Sequence, residues 1–245
     1  MNAEVTHLWR HPIKSHGREA IQTVTLNPGQ TMPGDRVWAV AHEASTADGS
    51  EWVPCANFSR GSKAPQLMAI STRMDGDTMT LTHPERPELR FNPDKDQQIF
   101  LDWVKPLMPT DRAASVRILR VPGRGMTDSE YPSISLCNMA SHRAVEQKLG
   151  QDLSIQRWRG SIWFDGLPLW EEFDWLGREV QIGEAVFSVR ERIQRCLATT
   201  ANPDTGLRDA DTLGTLNSWG HQDFGVYATV VRGGAISVGD KVQVL

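Results

Sequence analysis

The sequence predicts a mostly β protein with a few helices (α+β), built around β-barrel domains. Short apolar or alternating runs recur along all 245 residues, separated by turn-forming Gly, Pro, Asn and Asp. Only two segments carry apolar residues at helical spacing. Hydrophobic residues make up 39% of the chain and charged residues 23%, which is enough for a sizeable core. Many short strands with few helices favour barrels over a doubly wound α/β sheet.

The first half of the chain is predicted to be rich in strands. Five runs have the apolar or alternating pattern of strands: 4–10, 21–26, 36–43, 66–72 and 78–83. Residues 95–106 place Ile99, Trp103 and Val104 at helical spacing and end at a proline, which predicts a short helix. The run 115–121 is again typical of a strand.

The second half contains the clearest helix. In the segment CNMASHRAVEQKLG, Asn138 is a candidate N-cap and Gly150 is a candidate C-terminal stop. Further strands are predicted at 154–164, 178–183, 185–192, 223–234 and 241–245. The run 235–245 also predicts a closing β-hairpin with Gly239-Asp240 at its turn. The region 121–132 offers the best boundary, so the predicted domains are 1–120 and 121–245.

Charge and cysteine content exclude several functional classes. The formal net charge of −4 argues against a general nucleic-acid binder, although it allows a local basic pocket. No stretch approaches the roughly 20 apolar residues of a membrane span, and we expect a cytoplasmic location. Three cysteines without a CxxC pair fit neither a disulfide framework, a structural zinc site nor a four-cysteine iron–sulfur cluster. Any electron-transfer cluster is therefore expected on another protein.

Cys196 lies in the segment IQRCLATTANPDTG, directly after Arg195 and shortly before Thr199 and Thr200. Its thiol could be a small buried hydrophobe, a nucleophile, half of a disulfide or a metal ligand. The lack of a cysteine pair removes the disulfide, and the lack of a matching base weakens the nucleophile. Local evidence alone favours a buried, inert thiol.

Basic residues in three further segments are candidates for binding an anion. Lys14 and Ser15 follow a proline-initiated turn in HPIKSHGR, Arg36 begins a strand in GDRVW, and Arg159 lies in QRWRGSIWF. The chain contains no P-loop, no H-E-x-x-H and no G-x-S-x-G pattern. The sequence therefore gives no support for a P-loop nucleotide site, a zinc protease site or a serine hydrolase site. Taken singly, each basic cluster is more often a surface feature than a site.

Taken in order, these segments resemble the MOSC superfamily, named for the molybdenum cofactor sulfurase C-terminal domain. The resemblance rests on five motifs: HPIKS, GDRVWAV, RWRGSIWFDG, a W…G…V.IG…F.V run and RCLATTANPDTG. It includes the N-terminal β-barrel domain that accompanies MOSC domains, and it therefore covers nearly the whole chain. Within the superfamily, the chain is most similar to mitochondrial amidoxime-reducing component-like proteins and their bacterial homologues.

The resemblance implies a molybdenum cofactor (molybdopterin with Mo), a pterin dithiolene that carries a phosphate and whose metal is bound by one protein cysteine. Cys196 matches that catalytic metal ligand, and a soft thiolate suits such a sulfur-rich centre. The residues implied to contact the cofactor are Lys14, Ser15, Arg36, Arg159, Ser161, Arg195, Thr199 and Thr200. Two positions depart from the family pattern, since Ser161 replaces the usual asparagine and Asn202 the usual aspartate.

The activity implied by the resemblance is the reduction of N-hydroxylated compounds such as amidoximes, hydroxylamines and N-hydroxylated bases. The cofactor would supply the hard chemistry, while the protein supplies the thiolate, the phosphate clamp and substrate access. Electrons would come from a separate protein of the ferredoxin, flavodoxin or cytochrome b5 type with its reductase. One alternative is a molybdenum cofactor or sulfur carrier in which Cys196 binds the cofactor or carries a persulfide. Another is a β-barrel binding protein without catalysis.

Overall fold

Strands dominate the computed structural model, which describes residues 3–245. The strands are β1 (Ala3–Arg10), β2 (Glu19–Ile21), β3 (Thr23–Leu26), β4 (Ala39–His42), β5 (Ser71–Asp75), β6 (Thr78–His83), β7 (Arg86–Phe91), β8 (Ser115–Leu119), β9 (Ile134–Asn138), β10 (Ile162–Asp165), β11 (Glu179–Ile182), β12 (Ala185–Gln194), β13 (Asp223–Arg232), β14 (Gly234–Ser237) and β15 (Lys241–Val244). The α-helices are α1 (Gln97–Val104), α2 (Met139–Leu149) and α3 (Thr212–Asn217). The predicted fold class, mostly β with a few helices, is confirmed.

Seven strands close into a barrel in the order β1, β10, β9, β13, β12, β11 and β15. The first strand closes the ring, because β1 pairs antiparallel with β10 on one side and with β15 on the other. Inward-facing side chains such as Leu8, Phe164 and Phe187 fill the interior as one buried apolar cluster. Closure leaves these seven strands without a free edge, which is how small barrels avoid unpaired backbone groups.

A second body of structure is built around β4–β8 and the sheet β5-β6-β7, with α1 packed against it. Its apolar core is separate from that of the barrel and includes Phe100, which stacks on Phe91 with ring centroids 5.3 Å apart. The helix predicted at 95–106 is present as α1, followed by a short 3-10 turn that contains Pro106. Because β1 belongs to the barrel of the later strands, the boundary between 1–120 and 121–245 stays a prediction.

The predicted caps of the long helix are confirmed in α2. The side chain of Asn138 accepts a hydrogen bond from the backbone N–H of Ala140, and Gly150 adopts the left-handed conformation at φ 74°. An N-cap oxygen satisfies a backbone donor that the helix cannot pair, and glycine enters the left-handed region without a Cβ clash. These two local signals fix both ends of α2.

Two strand predictions and one hairpin prediction are wrong. The run 154–164 forms a 3-10 turn at Ile155–Trp158, because Ser154 caps it and Arg159 then takes a left-handed conformation, so that only β10 remains. The run 66–72 is largely a 3-10 turn that begins at a proline, with β5 starting at Ser71. The hairpin predicted at 235–245 does not form, because β14 pairs with β3 while β15 pairs with β1 and β11.

The helices within residues 3–245 include none with the length and apolar character that a membrane span needs.

Candidate functional site

A cavity of about 250 Å³ collects most of the residues that the sequence singled out. The predicted residues that line it are Lys14, Ser15, Arg36, Arg159, Arg195, Cys196 and Thr199. Six of the residues around the cavity are Lys or Arg, whereas Asp128 is the one carboxylate among the described lining residues. Residues far apart in sequence thus form one strongly cationic pocket with a thiol in its wall, which is suited to an anionic ligand.

Backbone strain is concentrated at this cavity. Ser15, Arg36 and Arg159 have φ values of 64°, 51° and 50°, and Trp170 is the one other non-glycine residue in the left-handed region within the described chain. Each such conformation costs roughly 1–2 kcal/mol, because the Cβ approaches the backbone carbonyl. Strain of this kind persists where the surrounding structure enforces it and often marks functional sites.

Arg36 is held in place by a buried carboxylate. Asp35 pairs with the Arg36 guanidinium and accepts a hydrogen bond from the backbone N–H of His11 at 2.6 Å. Burial alone would raise the pKa of Asp35, but Arg36 and His11 together hold it well below its ordinary value. Burial, with the charge of Arg159, lowers the pKa of His11 to about 3. The neutral imidazole and ionised carboxylate form a rigid support behind Arg36.

Lys14 is fully committed to its own neighbours. Its ammonium donates to the carbonyls of Met126 and Thr127 at 2.8 and 3.1 Å, and to the Asp128 carboxylate at 2.5 Å. Burial would raise the pKa of Asp128, but the Lys14 charge is the main cause that lowers it to about 2. All three ammonium donors are used in this way, so Lys14 shapes the wall at residues 126–128. Its predicted contact with a cofactor stays a prediction.

Arg159 has no ion-pair partner among the described residues, although Asp35 and Asp128 lie near enough to favour its charge. Its Nη1 donates to the Gly17 carbonyl at 3.1 Å, whereas its buried Nη2 has no hydrogen-bond partner among the residues that the structure describes. Its backbone carbonyl accepts from Arg36 Nη2 at 3.2 Å, so the Arg36 guanidinium lies against the backbone of Arg159. Burial and then the Arg36 charge lower the pKa of Arg159 to about 9. A bound anion would satisfy the free donor and reduce the repulsion between the two arginines.

Arg195 and Cys196 follow the end of β12 and point to different surroundings. The Arg195 guanidinium donates to the Trp158 carbonyl at 2.6 Å and to the Phe224 carbonyl at 2.9 and 2.6 Å. It also lies over both aromatic rings, whose centroids are 3.9 Å apart. These contacts anchor the chain directly before Cys196, whose side chain is exposed in the cavity wall. The thiol is therefore accessible on a fixed support.

The three cysteines have different environments. Cys137 is completely buried in β9, and burial raises the pKa of its thiol to about 12. Cys55 is half-buried in the cavity wall, where its Sγ accepts a hydrogen bond from Arg60 Nη1 at 3.2 Å. Cys196 is the exposed one, so the inert, buried thiol favoured by local sequence is found at Cys137 instead. In the part of the chain described, no three His, Cys, Asp or Glu side chains gather as a metal site.

Three predicted contacts lie in or behind the wall around Cys196. Thr199 lines the cavity, but its hydroxyl donates to the Cys196 carbonyl at 3.1 Å. Thr200 lies outside the lining and donates to the Leu197 carbonyl at 2.8 Å. Ser161 is buried behind Ser135, which lines the cavity and whose Oγ accepts from the Ser161 backbone N–H at 2.8 Å. Thr200 and Ser161 thus support the wall in this structure, and their contact with a cofactor stays a prediction.

Sequence reasoning missed one whole side of the cavity. The segment 55–68 contributes Cys55, Arg60, Gly61, Ser62 and Met68, and later segments add Asp128, Ser135, Arg157, Ile193, Gln194, Ala198, Trp158 and Tyr227. A Cβ on Gly61 would lie 2.6 Å from Met68 Sδ and 3.5 Å from Ala198 Cβ, so this segment packs closely on the turn after Cys196. The clearest available signal was the glycine directly after Arg60 in a segment rich in polar residues.

Family models and curated relatives match nearly the whole chain. The MOSC N-terminal beta barrel domain matches residues 2–114 and the MOSC domain matches residues 127–243. Mitochondrial amidoxime reducing component 2 of Bos taurus is 25% identical, with 97% of this chain and 82% of the relative covered. Mitochondrial amidoxime-reducing component 1 of Homo sapiens is 23% identical, with 98% and 82% covered.

A second group of relatives matches only part of this chain and a smaller part of their own length. Molybdenum cofactor sulfurase of Drosophila ananassae is 27% identical over 58% of this chain, which corresponds to 20% of that protein. Both groups are consistent with the two matched domain models. The chain therefore belongs to the MOSC family, with a MOSC N-terminal beta barrel domain ahead of its MOSC domain.

Proposed function

We propose that this protein is a molybdenum cofactor-dependent enzyme that reduces N-hydroxylated compounds, including amidoximes, hydroxylamines and N-hydroxylated bases. The observation that supports it most directly is the exposed thiol of Cys196 in the wall of a cavity with six basic lining residues. Relatives named amidoxime-reducing components cover almost the whole chain. A soft, accessible thiolate beside cations suits a metal centre on an anionic cofactor.

The residues of the cavity fit such a cofactor. Arg159 offers an unpartnered, buried guanidinium nitrogen, and Arg36 beside it is fixed by Asp35. These two arginines would hold the cofactor's phosphate, with Ser15 at the same wall, while Cys196 would bind the metal. When bound, the cofactor supplies two-electron oxygen-atom transfer chemistry.

The chain's own residues would bind, orient and neutralise. The cationic wall would balance the negative charge of the cofactor, and the Trp158–Phe224 stack with Arg195 would keep the Cys196 segment in place during turnover. Reduction of an N–OH group to N–H consumes two electrons and two protons and releases water. Those electrons need a separate donor, for which we propose a protein of the ferredoxin, flavodoxin or cytochrome b5 type with its reductase. The cytoplasmic location stays a prediction.

The direct test is to purify the protein from a cofactor-competent host and to measure molybdenum, released pterin and amidoxime reduction with a chemical electron donor. We expect near-stoichiometric molybdenum in the wild type and loss of both metal and activity in Cys196→Ala. The matched control is Cys137→Ala, which removes a buried thiol that does not line the cavity. Wild-type protein without molybdenum, or a Cys196→Ala variant with full activity, would contradict the proposal.

The exposure of Cys196 also supports a second candidate, a carrier of molybdenum cofactor or of sulfur. Part of the chain is similar to proteins named molybdenum cofactor sulfurase. In this role, Cys196 would hold the cofactor for transfer or carry a persulfide. Mass spectrometry separates the two functions, because a sulfur adduct on Cys196 without bound molybdenum would favour the carrier.

A further inference from the structure

Arg60 lies at the boundary between two neighbouring cavities. It lines the cavity of Cys196 and also a second cavity of about 240 Å³. Among the described lining residues, Arg60 is the one that the two cavities share. The second cavity is also lined by Lys63 and Arg112, with Asp111 as its carboxylate. Basic side chains therefore line both cavities, and Arg60 belongs to the wall of each.

The charge of Arg60 is left unpaired by the protein. Its Nη1 donates to Cys55 Sγ at 3.2 Å, and no carboxylate of the described chain lies within ion-pair distance of it. By contrast, Lys14, Arg36 and Arg157 each have a carboxylate partner. A guanidinium has five N–H donors, so most of those on Arg60 are available to a ligand.

The position of Arg60 is fixed on the Cys196 side of the cavity. Arg208 Nη2 donates to the Ser62 carbonyl at 2.9 Å, and Arg208 also contacts the Leu197 carbonyl. Gly61 packs against Ala198, two residues after the thiol. Arg36 and Arg159 instead contact each other and the segment around Gly17. The cavity thus has two separate basic groups, and only one of them is next to the second cavity.

We propose that Arg60 binds an anionic group of the substrate, so that this protein acts on N-hydroxylated compounds that also carry a carboxylate or a phosphate. This inference rests on the proposed function, because it assumes that the reducible N–OH group is bound near Cys196. The anionic group lies at Arg60 and extends toward Lys63 in the second cavity. The charge-assisted, bidentate geometry of arginine selects such planar or tetrahedral oxyanions over neutral groups.

Arg112, a further basic residue of the second cavity, forms only a weak ion pair within the protein. Arg112 and Asp111 are adjacent in sequence and exposed, with Nε and Oδ2 3.7 Å apart, which is a weak and solvent-screened contact. Arg112 is therefore available to strengthen the attraction of an anion bound at Arg60 and Lys63. The substrate preference follows from the charges of Lys63 and Arg112 as well as from Arg60 itself.

The test compares two substrates of the holoenzyme, neutral benzamidoxime and 4-carboxybenzamidoxime, in wild type and Arg60→Gln. The kcat/KM for 4-carboxybenzamidoxime divided by that for benzamidoxime should fall by about 10- to 100-fold in Arg60→Gln, because a charged hydrogen-bond donor to the carboxylate is lost. A third substrate, the cationic 4-(aminomethyl)benzamidoxime, tests the opposite charge. Arg60→Glu should prefer it over 4-carboxybenzamidoxime. The control is Arg90→Gln, an exposed residue of β7 whose ion pair with Asp75 lies away from both cavities and which should leave the ratio unchanged.

A calorimetric titration with the unreactive products benzamidine and 4-carboxybenzamidine makes the result independent of turnover. If wild-type protein binds the carboxylated product in an Arg60-dependent manner but reduces no amidoxime, the proposed reductase function fails and the binding role of Arg60 stands. An unchanged substrate ratio in Arg60→Gln overturns the inference. Loss of released pterin from purified Arg60→Gln also overturns it, because Arg60 would then be a cofactor contact.

Discussion

Replacing Arg159 by glutamine should stabilise the cofactor-free protein while weakening its hold on the cofactor. The lowered pKa of Arg159, about 9, means that burial and Arg36 disfavour its charged form in the folded state. This lowering of the pKa corresponds to an unfavourable contribution of at most ~5 kcal/mol, since each pKa unit is about 1.4 kcal/mol. The side chain is still partly accessible to water, which reduces this to about 2–3 kcal/mol. Loss of the hydrogen bond to Gly17 costs about 1 kcal/mol, leaving a net gain of about 1–2 kcal/mol.

Thermal and urea unfolding of protein made without cofactor measure this gain. For a chain of this length, about 1–2 kcal/mol corresponds to a Tm that is roughly 2–8 °C higher. Pterin released from Arg159→Gln made in a cofactor-competent host should fall well below the wild-type amount. Arg90→Gln, which removes an exposed arginine, should change neither quantity. Opposite effects on stability and ligand retention are typical of residues kept for function.

Destabilisation of the cofactor-free protein by about 1 kcal/mol or more in Arg159→Gln, relative to Arg90→Gln, would contradict this prediction. Its contacts within the protein would then outweigh the desolvation of its charge. A variant that retains as much pterin as the wild type would also contradict it, because the cofactor would then not be the partner of the free Nη2.

Three further predictions concern thiol access, pH and the cavity wall. In cofactor-free protein at pH 8, iodoacetamide should modify exposed Cys196 readily and Cys137 only after unfolding, as peptide mass spectrometry would show. Burial raises the pKa of Glu172 to about 7, so the stability that its neutral form provides is lost as the pH rises through 7. The free energy of unfolding, measured with urea between pH 5 and 8, should therefore decrease more steeply with pH in wild type than in Glu172→Gln. Lys14→Met should lower the unfolding free energy by about 3 kcal/mol, because it leaves buried carbonyls and Asp128 without their donor.

Each of these has an outcome that would contradict it. Equal labelling of the two cysteines in folded protein would contradict the assigned burial of Cys137. Parallel pH profiles for wild type and Glu172→Gln would show that this carboxyl does not titrate in the range. A Lys14→Met variant as stable as wild type would mean that the ammonium does not support the cavity wall, and the conservative Lys14→Arg is its matched control.

The parts of the fold that local chemistry controls could be predicted from the sequence. Helix α2 is an example, because the Asn138 cap and the Gly150 stop act within one turn of the residues that carry them. The run 154–164 could not be predicted correctly, since its alternating pattern is overridden by the left-handed backbone at Arg159, which tertiary contacts enforce. The partners of β14 and β15 depend on distant strands, and local pattern carries no information on them.

The sequence predicts residues of the candidate site only where they lie in the motifs that resemble a known family. The cavity does bring Lys14, Arg36, Arg159 and Cys196 together. The wall from segment 55–68 was missed, because its residues belong to no motif and reach the cavity only through packing on the turn after Cys196. The hydrogen bonds that Lys14 and Arg195 donate to backbone carbonyls could not be predicted from the sequence either, since these partners come together only in the folded chain.

The position of β1 in the barrel has a consequence for folding. Its residue Glu4 pairs with Lys241 of β15, so the ring cannot close until nearly the whole chain is available. Pairings of such long sequence separation form slowly, because much chain entropy must be lost before they are stabilised. Until then both β1 and β15 present unpaired edges, which are prone to aggregation. The barrel half of the cavity around Cys196 is therefore completed late, and the protein should be most vulnerable to aggregation and proteolysis before that last pairing.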